Sequence, residues 1–291
     1  MVEYRFGYMP RPSSLAFAGW QVSPLDQFED VKQWVAKYAH RDGFLYPPPS
    51  QIQRDGGEII SNTERPAHLY RVPASHSLSS ETEDDRTRAA LVVQLLGFWY
   101  GTWLQFADWW FDARIRLSRH ALSPVPAIVE DFLTLAIQAW GTWHDSAQRR
   151  FINSLYMFNR APSYEWDWEH FAAQYMVLDS LYRTAVELRL LNECPHSERI
   201  NRMCQSLGVV GNTAIASEFA RLRNGLLHEA IWDGGQPGSA GSAEAFMYQF
   251  HLRSLNERLI VALLGYRNEF IRTSWWTLGG AFFDGLSSRA E

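Results

Sequence analysis

A chain of 291 residues, 46% hydrophobic, 14% aromatic and 20% charged, is globular and has the material for one large core or two modest ones. Its net charge of −5 argues against a generally basic nucleic-acid sleeve and leaves room only for a local basic patch. Cys194 and Cys204, the only cysteines, match no metal or redox spacing and imply a reducing, cytoplasmic setting; residues 1–9, polar and aromatic, read as no signal peptide.

The 13 Trp and 17 Phe predict a core packed by large aromatic side chains. Lys32 and Lys37 are the only lysines. The resulting arginine bias suits phosphate recognition through the guanidinium fork and is equally explained by a GC-rich coding preference.

Residues 1–81 have a mixed or irregular texture. Val2 to Tyr8 and Leu15 to Trp20 read as extended segments, and a first helix is expected from Pro24, capped by Ser23, with Leu25, Phe28, Val31, Val35 and Tyr38 as its stripe. Pro47-Pro48-Pro49 forbids regular pairing, and Asp55-Gly56-Gly57 marks a turn. From residue 82 to 291 the pattern is helical. Glu83-Asp84-Asp85 place negative charge at the start of a long helix beginning near Arg86, where the helix dipole favours it. The uncharged run Ala89 to Ala107 is long enough to span a bilayer. Its Gln94, Gly97, Gly101, Thr102 and Gln105, and its continuation into Asp108 to Arg114, instead predict a buried central helix in a soluble core without a membrane span.

Further helices are expected after Ser123-Pro124-Val125-Pro126 to about Trp143, over Ala147 to Phe158, and over Trp166 to Leu191 with Phe171, Tyr175, Leu178, Leu181 and Tyr182 in its apolar stripe. Others cover Glu198 to Leu207, Thr213 to Trp232 with Asn212 or Thr213 as cap, and Ala243 to Thr273. The predicted fold class is therefore mainly α: a helical bundle over 82–291 behind a small mixed or irregular subdomain over 1–81.

The common site chemistries lack their parts. Asp167-Trp168-Glu169-His170 and Glu193-Cys194-Pro195-His196 come nearest to a paired Glu-x-x-His metal site, and Pro195 spoils the second for a helix, so no metal or other cofactor is expected. There is no Gly-x-Ser-x-Gly elbow. Leu207 to Asn212 lacks the lysine and strand of a nucleotide-binding loop and reads as a helix-to-helix turn.

What remains is Arg223-Asn224-Gly225-Leu226-Leu227-His228, in the last turns of a late helix. Turning about 100° per residue, Ile215, Phe219, Leu222 and Leu226 share one arc, the core face; Asn224 and His228 point away from it and Arg223 sits at its edge. Spacing alone is common, since Arg71 and His76 have the same separation and Arg114 and His120 stand one residue further apart. The segment at 223 combines that spacing with a helix and a polar second residue.

An arginine, a polar residue directly after it and a histidine after three more, in a late helix of an all-helical domain, resembles the HEPN superfamily in its large branch with its own N-terminal region. The resemblance covers about residues 82–285. It implies a metal-independent endoribonuclease, in a defence or toxin–antitoxin context, with Arg223, Asn224 and His228 as catalytic residues. It also implies a homodimer in which two protomers bring their motifs together, so that the partner copy supplies the second histidine. Arg221, Arg149, Arg150, Arg114, Arg116 and Arg119 are candidate RNA contacts, or equally solvated helix faces. RNA and a possible antitoxin or partner protein are the expected partners. Two other readings stay open: a non-catalytic RNA-binding or regulatory scaffold, and a sensor whose aromatic-rich bundle holds an apolar small molecule.

Overall fold

The computed structural model describes residues 2–39, 43–48, 51–53, 57–61, 69–80, 85–117, 122, 125–232, 247–277 and 283. The chain is mainly α, with a small mixed subdomain at its N-terminus. Contacts divide it into two compact units, Met1–Leu133 and Thr134–Glu291. The change of sequence texture near residue 82 coincides with the first long helix, whereas the units part later.

In the first unit, strands β1 (Val2–Gly7), β2 (Leu15–Phe17), β3 (Trp20–Pro24), β7 (His76–Ser80) and β8 (Gln105–Phe106) form an antiparallel sheet in the order β2-β3-β7-β1-β8. Alternation selects the inward set Phe6, Leu15, Phe17, Trp20, Val22, His76 and Leu78, all buried. Small pairs join β4 (Phe44–Leu45) to β9 (Ile115–Arg116), and β5 (Gln51–Gln53) to β6 (Ile59–Ser61). The first helix, α1 (Phe28–Tyr38), begins later than expected. Ser23 and Pro24 finish β3 opposite Ser77 and His76, and Leu25 N–H bonds Ser75 O at 3.0 Å, so the sheet claims the residues that would have capped the helix.

Helix α2 (Arg86–Tyr100) is buried along nearly its whole length and starts at Asp85, whose carboxylate accepts from Arg88 N–H. It does not run on through residue 107. Gly101 adopts φ 64°, ψ 29°, and Thr102 N–H closes back onto Gly97 O at 3.0 Å, a glycine-dependent left-handed stop. The chain then turns into β8. The polar residues of the uncharged run are satisfied inside the unit: Gln94 donates to Leu104 O, Thr102 to Arg116 O and Gln105 to Trp110 O. No helix among the described residues is long and apolar enough to cross a membrane.

Helix α3 (Pro126–Gly141) contains the division between the units. The second unit holds α4 (Asp145–Arg160), α5 (Asp167–Glu187), α6 (Arg199–Leu207), α7 (Thr213–Asn224), α8 (Tyr248–Leu263) and α9 (Glu269–Arg272). Helix α5 is its axis. It meets α4 through Ser154 and Ser180 Oγ, 2.7 Å apart, and α8 through buried Asn256, whose Nδ2 donates to both the backbone and side-chain oxygens of Gln174 at 2.8 Å. The single helix expected up to Thr273 is broken. Gly265 at φ 95° ends α8, and Asn268 caps α9 through Ile271 N–H. Buried Arg258 ties the two together by donating to Thr273 O and Oγ1.

Candidate functional site

Helix α7 is fixed at both ends. Of the two expected caps, Asn212 serves: its Oδ1 accepts from Ile215 N–H at 3.2 Å, and Phe219 sits fully buried against Phe171, Tyr248 and Trp275 at centroid distances of 6.1, 5.9 and 5.8 Å. Past Asn224 the α pattern ends, contrary to the expectation of one helix to Trp232. Gly225–Glu229 form a wide π turn, closed by Ala230 N–H to Gly225 O with Ala230 in the left-handed region at φ 55°. Ile231 N–H bonds the same carbonyl at 3.0 Å, and Trp232 returns to the core against Phe171, 5.2 Å away. Both Leu222 and Trp232 are buried, so the segment between two core anchors takes up an extra residue in its turn. Gly225 sits under the returning chain: a Cβ there would lie 3.4 Å from Ile231 O.

The wide turn has a chemical consequence. On a regular α-helix a residue five positions on lies about 140° round the axis, whereas a turn bonded i to i+5 carries it back over its starting point. Arg223 and His228 meet accordingly: Arg223 Nη1 donates to His228 Nε2 at 2.9 Å and to Asn224 Oδ1 at 3.1 Å. A guanidinium has no acceptor, so Nε2 is the lone-pair nitrogen of His228 and the ring proton of the neutral imidazole sits on Nδ1. Asn224 and His228 are exposed and Arg223 is half-buried. Arg223 makes no ion pair among the described residues, and its Nε is buried without a hydrogen-bond partner.

Helix α5 and the start of α6 complete the cluster. Tyr182 Oη accepts from Cys194 N–H at 2.8 Å, and the Arg199 guanidinium lies over the Tyr182 ring, 4.7 Å from the ring centroid, which folds the loop after α5 back along the helix. That return stacks His196 on Tyr175, with ring centroids 5.7 Å apart and planes 15° from parallel, and brings Nε2 to 3.4 Å from Tyr175 Oη and 3.9 Å from Asp179 Oδ1. Asp179 is held by Arg199 Nη1 at 2.8 Å. Burial, with the Asp179 charge behind it, raises the Tyr175 phenol far above the usual tyrosine range, while Arg223 and Arg199 pull it down. Burial also lowers His196; Asp179 opposes this, and Arg199, Arg223 and His228 add to it. His196 thus feels both Arg223 and His228. Two guanidiniums against one carboxylate leave the cluster with a positive excess, the sign that attracts an anion.

Sequence reasoning missed four of these residues. Tyr175 was absorbed into the apolar stripe of α5, where it is indeed buried, and His196 was weighed only as a metal ligand next to Pro195. The available signal was weak: Tyr175 and Asp179 are four apart on one helix face, and His196 and Arg199 are three apart at a helix start. Among the described residues no three His, Cys, Asp or Glu side chains converge as metal ligands do.

Of the other candidate arginines, Arg221 and Arg150 are engaged in ion pairs within the second unit: Arg221 pairs with Glu218 at 2.9 Å, and Arg150 pairs with Glu187, two turns of α5 beyond Asp179. Arg149 is exposed on α4. Arg114 and Arg116 belong to the first unit, where Arg114 stacks over Phe44, 4.2 Å from its centroid, and donates to Tyr46 Oη. Arg119 lies outside the described residues. Compared with family models, with curated proteins and with solved structures, the chain matches none.

Proposed function

We propose that this protein is a metal-independent endoribonuclease of the HEPN type, active in the cytoplasm in a defence or toxin–antitoxin setting, whose reaction uses Arg223, Asn224 and His228. The observation that carries the reading is the hydrogen-bonded set Arg223–Asn224–His228 at the π turn, on a solvent-facing edge of the helical unit. RNA cleavage without metal needs a base for the 2′-hydroxyl proton, an acid for the leaving 5′-oxygen and a cation for the charge developing on the phosphate. An imidazole has the proton affinity for either transfer near neutral pH, and the guanidinium fork fits two phosphate oxygens. Asn224, bonded to the same Nη1, fixes the arginine relative to the ring. Exposed Leu227 and Ile231, 56% and 48% accessible, flank His228 and support an apolar surface on which a second copy of the chain docks to form the homodimer.

Incubation of the purified protein with RNA in EDTA tests the reading. The expected products end in 2′,3′-cyclic phosphate, and His228→Ala abolishes them; equal cutting by His228→Ala refutes the assignment. A second reading, RNA binding without turnover, draws on His228 Nε2 being occupied by Arg223. Retention of RNA with no product distinguishes it.

A further inference from the structure

We propose that His196 is the second proton-transfer group of this site, supplied by the same chain as Arg223 and His228, with Asp179 and Tyr175 as the positioning residues that hold its ring. The inference rests on the ribonuclease reading and departs from the expectation that a partner copy must bring the second imidazole. Elements far apart in sequence pack together: α5 with Tyr175 and Asp179 holds His196 and Arg199 at the start of α6, and the short turn His196–Glu198 packs against α7, whose end carries Arg223 and leads to His228. Among the described residues, the charged and titratable groups that act on His196 are Asp179, Arg199, Arg223, His228 and Tyr175.

The geometry assigns the two rings different work. In this assignment Nε2 of His196 carries the ring proton and donates to Tyr175 Oη, 3.4 Å away, with the Asp179 carboxylate 3.9 Å from the same nitrogen, and Nδ1 holds the lone pair. The depressed proton affinity of His196 keeps that ring neutral near pH 7, as a base requires. His228 starts with its lone pair against Arg223 Nη1. A phosphodiester that draws Arg223 onto its own oxygens frees Nε2 to take up a proton, and His228 becomes the acid. In the reaction the 2′-oxygen attacks phosphorus and its proton passes to His196. The P–O5′ bond breaks, and the leaving 5′-oxygen takes a proton from His228. The products are a 2′,3′-cyclic phosphate and a 5′-hydroxyl, with one proton taken up and one released.

Three measurements decide the matter. In RNA cleavage, His196→Ala and His196→Gln should each lower kcat by about 10²- to 10⁴-fold with KM little changed, and the acid limb of the pH–rate profile should disappear. With uridine 3′-(4-nitrophenyl phosphate), whose leaving group needs no proton, His228→Ala should regain activity while the His196 variants stay slow. Mixing His196→Ala with His228→Ala should restore nothing, because neither chain holds both rings. Wild-type rates in a folded His196→Ala, or recovery on mixing, overturn the proposal. If the wild-type protein cuts no RNA, the ribonuclease reading falls separately, and titration of the native protein with uridine 3′-monophosphate by imidazole NMR still judges the shared site. Both rings shifting with one Kd supports it, and a His196 ring that stays still while His228 moves overturns it.

Discussion

Lowering the pH from 7 to 4 should destabilise the sheet-bearing first unit by about 3 kcal/mol through His76 alone. Its imidazole is fully buried, with Nδ1 2.8 Å from Ser75 Oγ and the rings of Phe6 and Phe28 at 5.8 and 5.4 Å. Burial pushes its pKa down to about 4 from 6.5, against a small opposing contribution from the Arg11 backbone. The unfolded chain therefore binds a proton between those two values that the folded chain refuses. The stabilisation is fully present above about pH 6.5 and is lost as the pH falls towards 4. His196 and His251, also lowered by burial, belong to the second unit. Amides of β1 and β7 thus report on His76. Hydrogen exchange of those two strands, corrected for the intrinsic effect of pH, should show protection falling by about a hundredfold. His76→Gln should abolish the pH dependence at some cost in stability. Unchanged protection at pH 4, or the same loss in His76→Gln, refutes the assignment.

Three further outcomes are expected. Arg223→Lys keeps the charge but loses the planar fork that reaches both Asn224 and His228, so kcat on a fluorogenic RNA should fall by about 10²- to 10³-fold. Cys204 is buried and its thiol is pushed up to about 12, whereas Cys194 is half-buried; iodoacetamide at pH 8 should alkylate Cys194 alone in the native protein, as peptide mass spectrometry will show. Gly7→Ala would put a Cβ 2.9 Å from both Pro73 O and Ser75 N, backbone atoms that cannot swing aside. It should destabilise the first unit by about 1–3 kcal/mol in urea unfolding.

Most of the second unit was legible along the chain. Helices α4, α5 and α6 follow apolar periodicity, and Asn212 caps α7 where its side chain and the following pattern require. The limits were set by competition from distant residues. Ser23 and Pro24 carry a helix-start pattern, yet β7 offers them sheet partners. Residues 102–107 continue the uncharged run of α2, yet Gly101 stops the helix and Gln105–Phe106 form a strand beside β1. A left-handed glycine at 265 divides what periodicity reads as one helix.

The Arg223-Asn224-His228 set was readable because spacing on a helix is a local property, and its polar residues stand off the core arc. The α-helical spacing nevertheless placed Arg223 and His228 on different faces. Their contact exists because Leu222 and Trp232 are both drawn into the core and the turn between them widens. His196 joins them only because Tyr182 and Arg199 fold its loop back onto α5. Local chain geometry thus determined the helices and nominated the residues. Burial of aromatic side chains far apart in sequence decided which of them meet, since a packed core constrains positions that no local periodicity encodes.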